Sequence, residues 1–155
     1  MDFSIRRPGH VVIRASDVER SRRFFVDVIG FNEVGRNDRR MYFLTSRFED
    51  NHHMMLVRPA KPGAQATDAR RRIGMAAVAY EVGSFEDLKA LYGRLRENGT
   101  PIERTEDRGA EKALFVSDPD GNLFEFFCRE KAAGETQGRF AVRGSLEAEL
   151  AGAGA

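Results

Sequence analysis

HVVIRASDVERSRRFFVDVIGF, residues His10–Phe31, is the stretch that decides the fold, because AVAYEVGSFEDLKALYGRLRENG, residues Ala77–Gly99, repeats its plan. Each copy has a short apolar strand, a helix with a polar N-cap and a glycine stop. A repeat of this kind indicates two structural copies of one unit. The copies differ at one position that bears on function, since His10 in the first copy corresponds to Ala77 in the second.

The two copies have the same predicted order of strands and helix. In the first, Asp17 is a good N-cap for a helix from Val18 to Val28 with one apolar face. In the second, Ser84 caps a helix from Phe85 to Asn98. Strands are predicted at Val11–Ala15, Asn32–Arg36, Arg40–Thr45, His52–Val57, Ala76–Val82, Ile102–Glu106, Lys112–Ser117 and Asn122–Phe127. Each copy is therefore a βαβββ module, and a brief helix is expected within Ser145–Leu150.

Size and composition indicate a small globular protein. The chain has 155 residues, 41% of them hydrophobic, which suits one domain or two half-domains that share a core. A formal net charge of +1 argues against nucleic-acid binding. The single cysteine, Cys128, cannot form an internal disulfide, which is typical of a reducing cytoplasm. Met1–His10 lacks the apolar stretch of a signal peptide, and no segment approaches the roughly 18 apolar residues of a membrane span. We therefore expect a cytoplasmic protein without nucleic-acid or membrane partners.

Two motifs give the chain a resemblance to a known family. One is the opening His10-Val-Val with Asp17-Val-Glu-Arg-Ser-Arg-Arg-Phe-Phe, and the other is the closing Asp118-Pro-Asp-Gly-Asn-Leu-Phe-Glu-Phe. Together with the paired modules, they make the chain from about Arg7 to Glu130 resemble the vicinal oxygen chelate superfamily, which includes glyoxalase I, extradiol dioxygenases and fosfomycin or bleomycin resistance proteins. The His52-His53 pair and Glu81-Val-Gly-Ser-Phe-Glu-Asp-Leu resemble the single-domain extradiol dioxygenase branch.

The resemblance implies an α+β fold in which two βαβββ modules with curved sheets form a cavity. We therefore predict a single domain at residues 7–130, with module one at 7–58, a linker at 59–72 and module two at 73–130. An Ala/Gly-rich tail follows at 131–155. Members of this superfamily commonly complete their sheet pairing between chains, so a homodimer is expected.

The residues also suggest a metal site. Non-haem iron used for oxygen chemistry takes two imidazoles and one carboxylate on one face. His10 starts the first strand, and Glu125 lies in the last strand among phenylalanines. A carboxylate in apolar surroundings costs several kcal/mol unless it is paired or binds a cation, which makes Glu125 the best candidate ligand. The alternatives are an outward-facing strand residue for Glu125 and a structural histidine for His10.

A third ligand can come from His52 or His53, which begin the fourth strand of module one. Side chains alternate along a strand, so only one of the two can face the cavity. In dioxygenases the second histidine of such a pair resembles the acid–base residue, so His53 is predicted as a metal ligand, as the catalytic residue or as a polar strand end. The offset between copies along this strand, taken as 70 or 71, places Met55 or Met54 opposite Glu125.

Three positions depart from the family pattern. Ala77 replaces a histidine that binds metal in the family, Arg108-Gly109 aligns with a His-Gly of the dioxygenases, and Phe115 aligns with a tyrosine. The resemblance thus implies a divalent metal, with Fe(II) first and Mn, Ni or Zn as alternatives, and it leaves a metal-free site open.

The leading hypothesis is a metal-dependent enzyme that resembles extradiol, catechol-type dioxygenases and uses His10, His53 and Glu125 on a small aromatic or apolar molecule. The alternatives are a metal-free binding or resistance protein of the bleomycin-resistance type, favoured by Ala77, Arg108 and Phe115, and a glyoxalase-like isomerase or lyase. Candidates for lining a pocket, which would serve a core equally well, are Tyr42, Phe43, Met54, Met55 and Phe115.

Overall fold

The computed structural model describes residues 9–46, 55–64, 73–129 and 144–152. The chain forms two compact units, unit 1 from Met1 to Ala66 and unit 2 from Thr67 to Ala155. In chain order the elements are β1 (Val11–Ala15), α1 (Val18–Arg23), a π-helical segment (Phe24–Ile29), β2 (Asn32–Arg36), β3 (Tyr42–Thr45), β4 (Met55–Pro59), β5 (Val78–Glu81), α2 (Phe85–Glu97), β6 (Ile102–Asp107), β7 (Glu111–Ser117), β8 (Leu123–Arg129) and α3 (Glu147–Ala151). Within the described ranges no helix is both long and apolar enough to cross a bilayer.

Each unit contains one four-stranded mixed sheet. The strand order is β1-β4-β3-β2 in unit 1 and β5-β8-β7-β6 in unit 2. In both sheets the first strand runs parallel to the last, and the other neighbours are antiparallel. The predicted α+β fold with two βαβββ modules is confirmed. The predicted limits of the domain and of the tail include residues outside the described ranges and stay predictions.

β1 and β2 have the predicted bounds, and the other strands differ from the prediction by one or two residues at their described ends. Two of these differences have a clear local cause. β3 begins at Tyr42 rather than at Arg40, because Asn37–Arg40 forms a turn in which the Arg40 N–H donates to the Asn37 carbonyl at 3.0 Å and Arg40 has a φ of 57°. β8 continues to Arg129 because that residue still pairs with Glu111 of β7.

The first helix ends in a wider turn than its sequence predicted. The Asp17 carboxylate caps its start by accepting from the Glu19 N–H at 2.9 Å and the Arg20 N–H at 3.1 Å, and the backbone bond from Arg20 is the main reason that the pKa of Asp17 is lowered. At the end, the N–H groups of Gly30 and Phe31 both donate to the Phe25 carbonyl, at 3.0 and 2.8 Å. Gly30 permits this closure because its φ is 96°.

The core of unit 2 lies between α2 and one face of its sheet. The buried residues of α2 are Leu88, Leu91, Tyr92 and Leu95. The buried sheet residues on the same side are Tyr80, Leu114, Val116, Phe124, Phe126 and Cys128. Lys112 belongs to this side as well, since its ammonium lies 5.1 Å from the centre of the Phe85 ring at the start of α2.

The C-terminal segment, residues 144–152, completes unit 2. Gly144 pairs with Asp107 at the outer edge of β6, and the Leu146 N–H donates to Thr105 Oγ1 at 2.9 Å. Leu146 is 0% exposed and Leu150 is 2% exposed. The segment therefore covers a sheet edge that would otherwise offer unpaired backbone groups, and it adds two leucines to the core.

We expect Leu146→Ala to lower the free energy of unfolding by about 2–5 kcal/mol, because it removes a fully buried side chain and leaves a cavity. Glu147→Ala is the matched control, since Glu147 is exposed and its removal should change stability by less than about 0.5 kcal/mol. Urea denaturation of both variants measures the difference. Equal stabilities would show that the segment does not contribute to the folded core.

Candidate functional site

The far face of the unit 2 sheet, opposite α2, carries the polar side chains of interest. Strand registers align Ala79, Glu125, Phe115 and Arg104 in one row across the four strands. In unit 1 the corresponding registers align Val12, Leu56, Phe43 and Gly35. The row is apolar in unit 1 and holds both a carboxylate and a guanidinium in unit 2.

Glu125 is the predicted site residue that the structure describes most fully. Its neighbours Phe124 and Phe126 are buried on the α2 side, so alternation along β8 places Glu125 on the far face. The Glu125 side chain is only 15% exposed, and its Oε1 accepts a hydrogen bond from Arg108 Nη1 at 2.7 Å. Glu125 is therefore a half-buried, ion-paired carboxylate rather than a solvated one.

Arg108 holds three carboxylates at once, and we call Arg108 with Glu106, Glu111 and Glu125 the Arg108 cluster. Its Nη1 donates to Glu111 Oε1 and Glu125 Oε1, each at 2.7 Å. Its Nη2 and Nε donate to Glu106 Oε2 at 2.6 and 2.9 Å. The four side chains are between 8% and 16% exposed. Planar guanidinium geometry suits this arrangement, in which one cation orients several carboxylates.

A tight turn between β6 and β7 places Arg108 at the end of the hairpin. The Arg108 N–H donates to the Glu111 carbonyl at 2.8 Å, and the Gly109 N–H donates to Asp107 Oδ1 at 2.7 Å. Gly109 has a φ of 83°, a conformation that side chains disfavour. The turn thus directs the Arg108 side chain back over the far face.

Within the Arg108 cluster and its two neighbouring arginines, positive and negative charges are equal in number. Arg104 Nε donates to Glu106 Oε1 at 2.6 Å, and Arg129 Nε lies 3.4 Å from Glu111 Oε2, so three arginines meet three glutamates. Burial alone would lower the pKa of Arg108, but the hydrogen bonds with Glu106, Glu111 and Glu125 outweigh it and raise that pKa. Burial would raise the pKa of Glu106, but hydrogen bonds from Arg104 and Arg108 hold it below its usual value. Both shifts favour the charged forms of Arg108 and Glu106.

Only part of the predicted pocket lining lies on far faces. Phe115 lies on the far face of the unit 2 sheet. The Arg104 guanidinium covers its ring at 3.5 Å from the ring centre, and Phe115 is 2% exposed. Phe43 is its counterpart in unit 1. Tyr42 and Met55 face the other way, because Tyr42 donates to Glu19 of α1 at 2.6 Å and the buried Met55 pairs with Leu44. Met54 lies outside the described residues.

The residue of unit 1 that corresponds to Glu125 is Leu56, and the prediction of Met54 or Met55 was wrong. Val11 pairs with Met55 and Val78 pairs with Phe124, so the offset between copies along this strand is 69 positions, from Met55 to Phe124. Sequence alignment of the repeat could not place the length difference between the loops. Leu56 is apolar, so unit 1 offers no carboxylate at this position.

Two of the three predicted metal ligands are among the described residues, and they belong to different units. Glu125 belongs to unit 2 and His10 to unit 1, where His10 is exposed immediately before β1 rather than part of the core. His53, like its neighbour His52, lies outside the described residues. Within the described ranges no three His, Cys, Asp or Glu side chains are grouped as a metal site. The ligand set of His10, His53 and Glu125 therefore stays a prediction.

Glu125 is suited to be the carboxylate ligand in the predicted metal site. Carboxylate oxygen is a suitable ligand for Fe(II) or Mn(II), and metal-binding carboxylates are commonly hydrogen-bonded through their other oxygen. Oε1 is held by Arg108, while no hydrogen bond from the described residues reaches Oε2. Ala77, half-buried just before β5, supplies no donor atom. Unit 2 thus offers one oriented carboxylate ligand and one guanidinium beside it.

Sequence analysis identified Arg108 and Glu125 separately and missed Glu106, Glu111 and Arg104. A signal was present, because Arg104, Glu106 and Arg108 alternate at the period of a strand and share one side of the hairpin. No local sequence pattern indicates that Arg108 pairs with Glu125. The two residues are 17 positions apart and meet only because of the register between β7 and β8.

Comparison with known proteins assigns the chain to a family. The model of the Glyoxalase/Bleomycin resistance protein/Dioxygenase superfamily matches residues 7–126. The chain belongs to this superfamily. The match includes both modules and ends just after Glu125, so the superfamily assignment rests on the repeat and on the closing strand together.

Relatives within the superfamily include dioxygenases. The chain is 30% identical over 119 residues to a catechol-2,3-dioxygenase of Bacillus subtilis, covering 77% of this chain and 40% of that protein. It is 28% identical over 130 residues to a manganese-dependent 2,3-dihydroxybiphenyl 1,2-dioxygenase of Geobacillus genomosp. 3, covering 82% of this chain and 38% of that protein. The chain therefore spans well under half of the length of these two relatives.

A solved structure shows the same fold. The crystal structure of a glyoxylase/bleomycin resistance protein/dioxygenase domain from Frankia sp. EAN1pec aligns with a TM-score of 0.71 at 21% identity. The alignment covers 84% of this chain and 96% of the Frankia domain. At 21% identity the similarity supports the fold alone.

Proposed function

We propose that the chain is a metal-dependent enzyme of the extradiol dioxygenase type that acts on a small aromatic diol. The observation that carries the proposal is Glu125, a half-buried carboxylate in the last strand, held on the far face through Oε1 while Oε2 accepts no hydrogen bond from the described residues. The similarity to a catechol-2,3-dioxygenase and to a manganese-dependent dihydroxybiphenyl dioxygenase supports the substrate class and the divalent metal.

The proposed ligands are Glu125 with His10 and His53, and the proposed metal is Fe(II), with Mn, Ni or Zn as alternatives. A bound divalent ion would supply Lewis acidity that favours deprotonation of a diol. The chain's own part is to orient the Glu125 carboxylate, which Arg108 does through Oε1. His53 is proposed to move a proton, a task that suits an imidazole titrating near neutrality.

A second candidate function is metal-free binding of the same class of small molecule. The specific observation in its favour is that Arg108 already neutralises Glu125, so the carboxylate does not need a metal ion to be stable in its half-buried position. Ala77, which has no donor atom at a position where the family has a metal-binding histidine, points the same way.

Metal analysis of protein purified without tag or chelator separates the two functions. We expect the wild type to take up Fe(II) or Mn(II), to gain thermal stability when it does so and to release the ion readily to a chelator, since Ala77 supplies no imidazole. Glu125→Ala should lose the uptake, and Glu81→Ala, an exposed carboxylate at the end of β5, should retain it as the matched control. If Fe(II), Mn(II), Ni(II) and Zn(II) all leave the wild-type melting temperature unchanged, the metal-free function is the better account.

A further inference from the structure

We infer that Arg108 and a divalent metal ion compete for the Glu125 carboxylate, so that Arg108 sets the metal affinity of this site. The inference rests on the proposed function, in which Glu125 is a metal ligand. In that proposal Arg108 only orients Glu125, whereas here it also sets how tightly the metal ion binds.

The contacts of Arg108 show why it is a strong competitor. Its Nη1 reaches Glu125 Oε1 at 2.7 Å, and the same guanidinium is held from two other sides by Glu106 and Glu111. The Arg108 side chain is 16% exposed, so little water screens its charge. Arginine does not lose its proton in proteins, so this cation stays beside Glu125 at every accessible pH.

The charges on the far face favour the guanidinium over a metal ion. Arg104, Arg108 and Arg129 already balance Glu106, Glu111 and Glu125, so a divalent ion would enter a neutral network next to a fixed positive charge. Like charges a few ångströms apart repel each other strongly when they are half-buried. A metal ion bound through Oε2 would therefore lie close to this fixed cation, which lowers the affinity of the Glu125 carboxylate for the ion.

Direct titration with Mn(II), followed by the electron paramagnetic resonance signal of the free ion, tests the inference without any assay of activity. Arg108→Gln should lower the Kd for Mn(II) by about tenfold or more, because it removes a fixed positive charge a few ångströms from a half-buried ion. The affinity for Mn(II) should rise rather than fall, because the variant lacks the Arg108 cation beside Glu125. The gain should disappear in the double variant R108Q/E125Q.

Two further variants distinguish a specific effect of Arg108 from misfolding and from a general change in charge. R108Q/E111Q removes one cation and one carboxylate, which keeps the face neutral and protects folding, and it should show the same gain as R108Q. Arg129→Gln removes a cation from the same face that contacts Glu111 at 3.4 Å and does not contact Glu125, so it should leave the Kd within about twofold.

Each result decides the inference. Equal gains in Arg129→Gln, or a gain that is lost in R108Q/E111Q, would show a general effect of negative charge and overturn it. Equal Mn(II) affinity in the wild type and both Arg108 variants would overturn it and leave the proposed function standing. If the Arg108 variants bind Mn(II) and the wild type does not, the inference is supported and the proposed metal-dependent function of the wild type is contradicted. Failure of every variant to bind Mn(II) would overturn both.

Discussion

Replacement of Arg108 by methionine is expected to lower the free energy of unfolding by about 3–5 kcal/mol at pH 7. The substitution keeps most of the side-chain volume and removes the cation shared by Glu106, Glu111 and Glu125, whose side chains are 14%, 8% and 15% exposed. Three half-buried carboxylates then face one another without their common partner. Urea denaturation of the variant and the wild type measures the difference.

The loss should depend on pH in a defined direction. Hydrogen bonds from Arg104 and Arg108 lower the folded-state pKa of Glu106 below its ordinary value of 4.5, against the effect of burial. A lowered pKa contributes stability above the unfolded-state value that is lost as the pH falls through the folded-state value. The difference between wild type and variant should therefore be largest at pH 7 and shrink below about pH 4.5.

Arg129→Met is the matched control for this substitution. Arg129 lies on the same face, but its side chain is 60% exposed and its contact with the Glu111 carboxylate is 3.4 Å long. Its loss should change the free energy of unfolding by less than about 0.5 kcal/mol. If Arg108→Met is as mild as this control, or its effect is the same at pH 4 and pH 7, the Arg108 cluster does not stabilise the fold as described.

His53→Phe is expected to lower the turnover of a catechol by about 10²–10⁴-fold, because the proposed function assigns proton transfer to this imidazole. Phenylalanine keeps a ring of similar size and removes both nitrogens, so the Kd for the diol should change little. Steady-state turnover and equilibrium binding of catechol, measured on the same preparation, separate the two effects.

The neighbouring His52 provides a control, since alternation along a strand allows only one of the pair to face a given side. His52→Phe should leave turnover within about twofold. A larger loss for His52→Phe would assign the proton transfer to His52. Equal turnover in both variants and the wild type would remove the pair from the chemistry.

The repeat made the fold predictable from sequence. Caps at Asp17 and Ser84 marked the helix starts, and β1 and β2 have the predicted bounds. The wide last turn of the first helix was not predictable, because it depends on two N–H groups that share the Phe25 carbonyl. Tertiary geometry of this kind leaves no periodic pattern in the sequence.

Two residues of the site, Arg108 and Glu125, were identified from the sequence, but the hydrogen bond between them was not. Glu125 was identified because a carboxylate among phenylalanines needs a partner. The partner turned out to be Arg108, which reaches Glu125 only because Gly109 closes the hairpin and β7 sets the register with β8. The assignment of Met54 or Met55 opposite Glu125 failed for a related reason, since Leu56 takes that place once the strand pairing is known.

Oxygen uptake by the Fe(II)-loaded wild type on addition of catechol tests the proposed function most directly. We expect oxygen to be consumed mole for mole with catechol, with a product whose mass equals catechol plus two oxygen atoms, and we expect Glu125→Ala to show neither. If the metal-loaded wild type binds catechol and no oxygen is consumed, the chain is not a ring-cleaving dioxygenase and binds its small molecule without cleaving it.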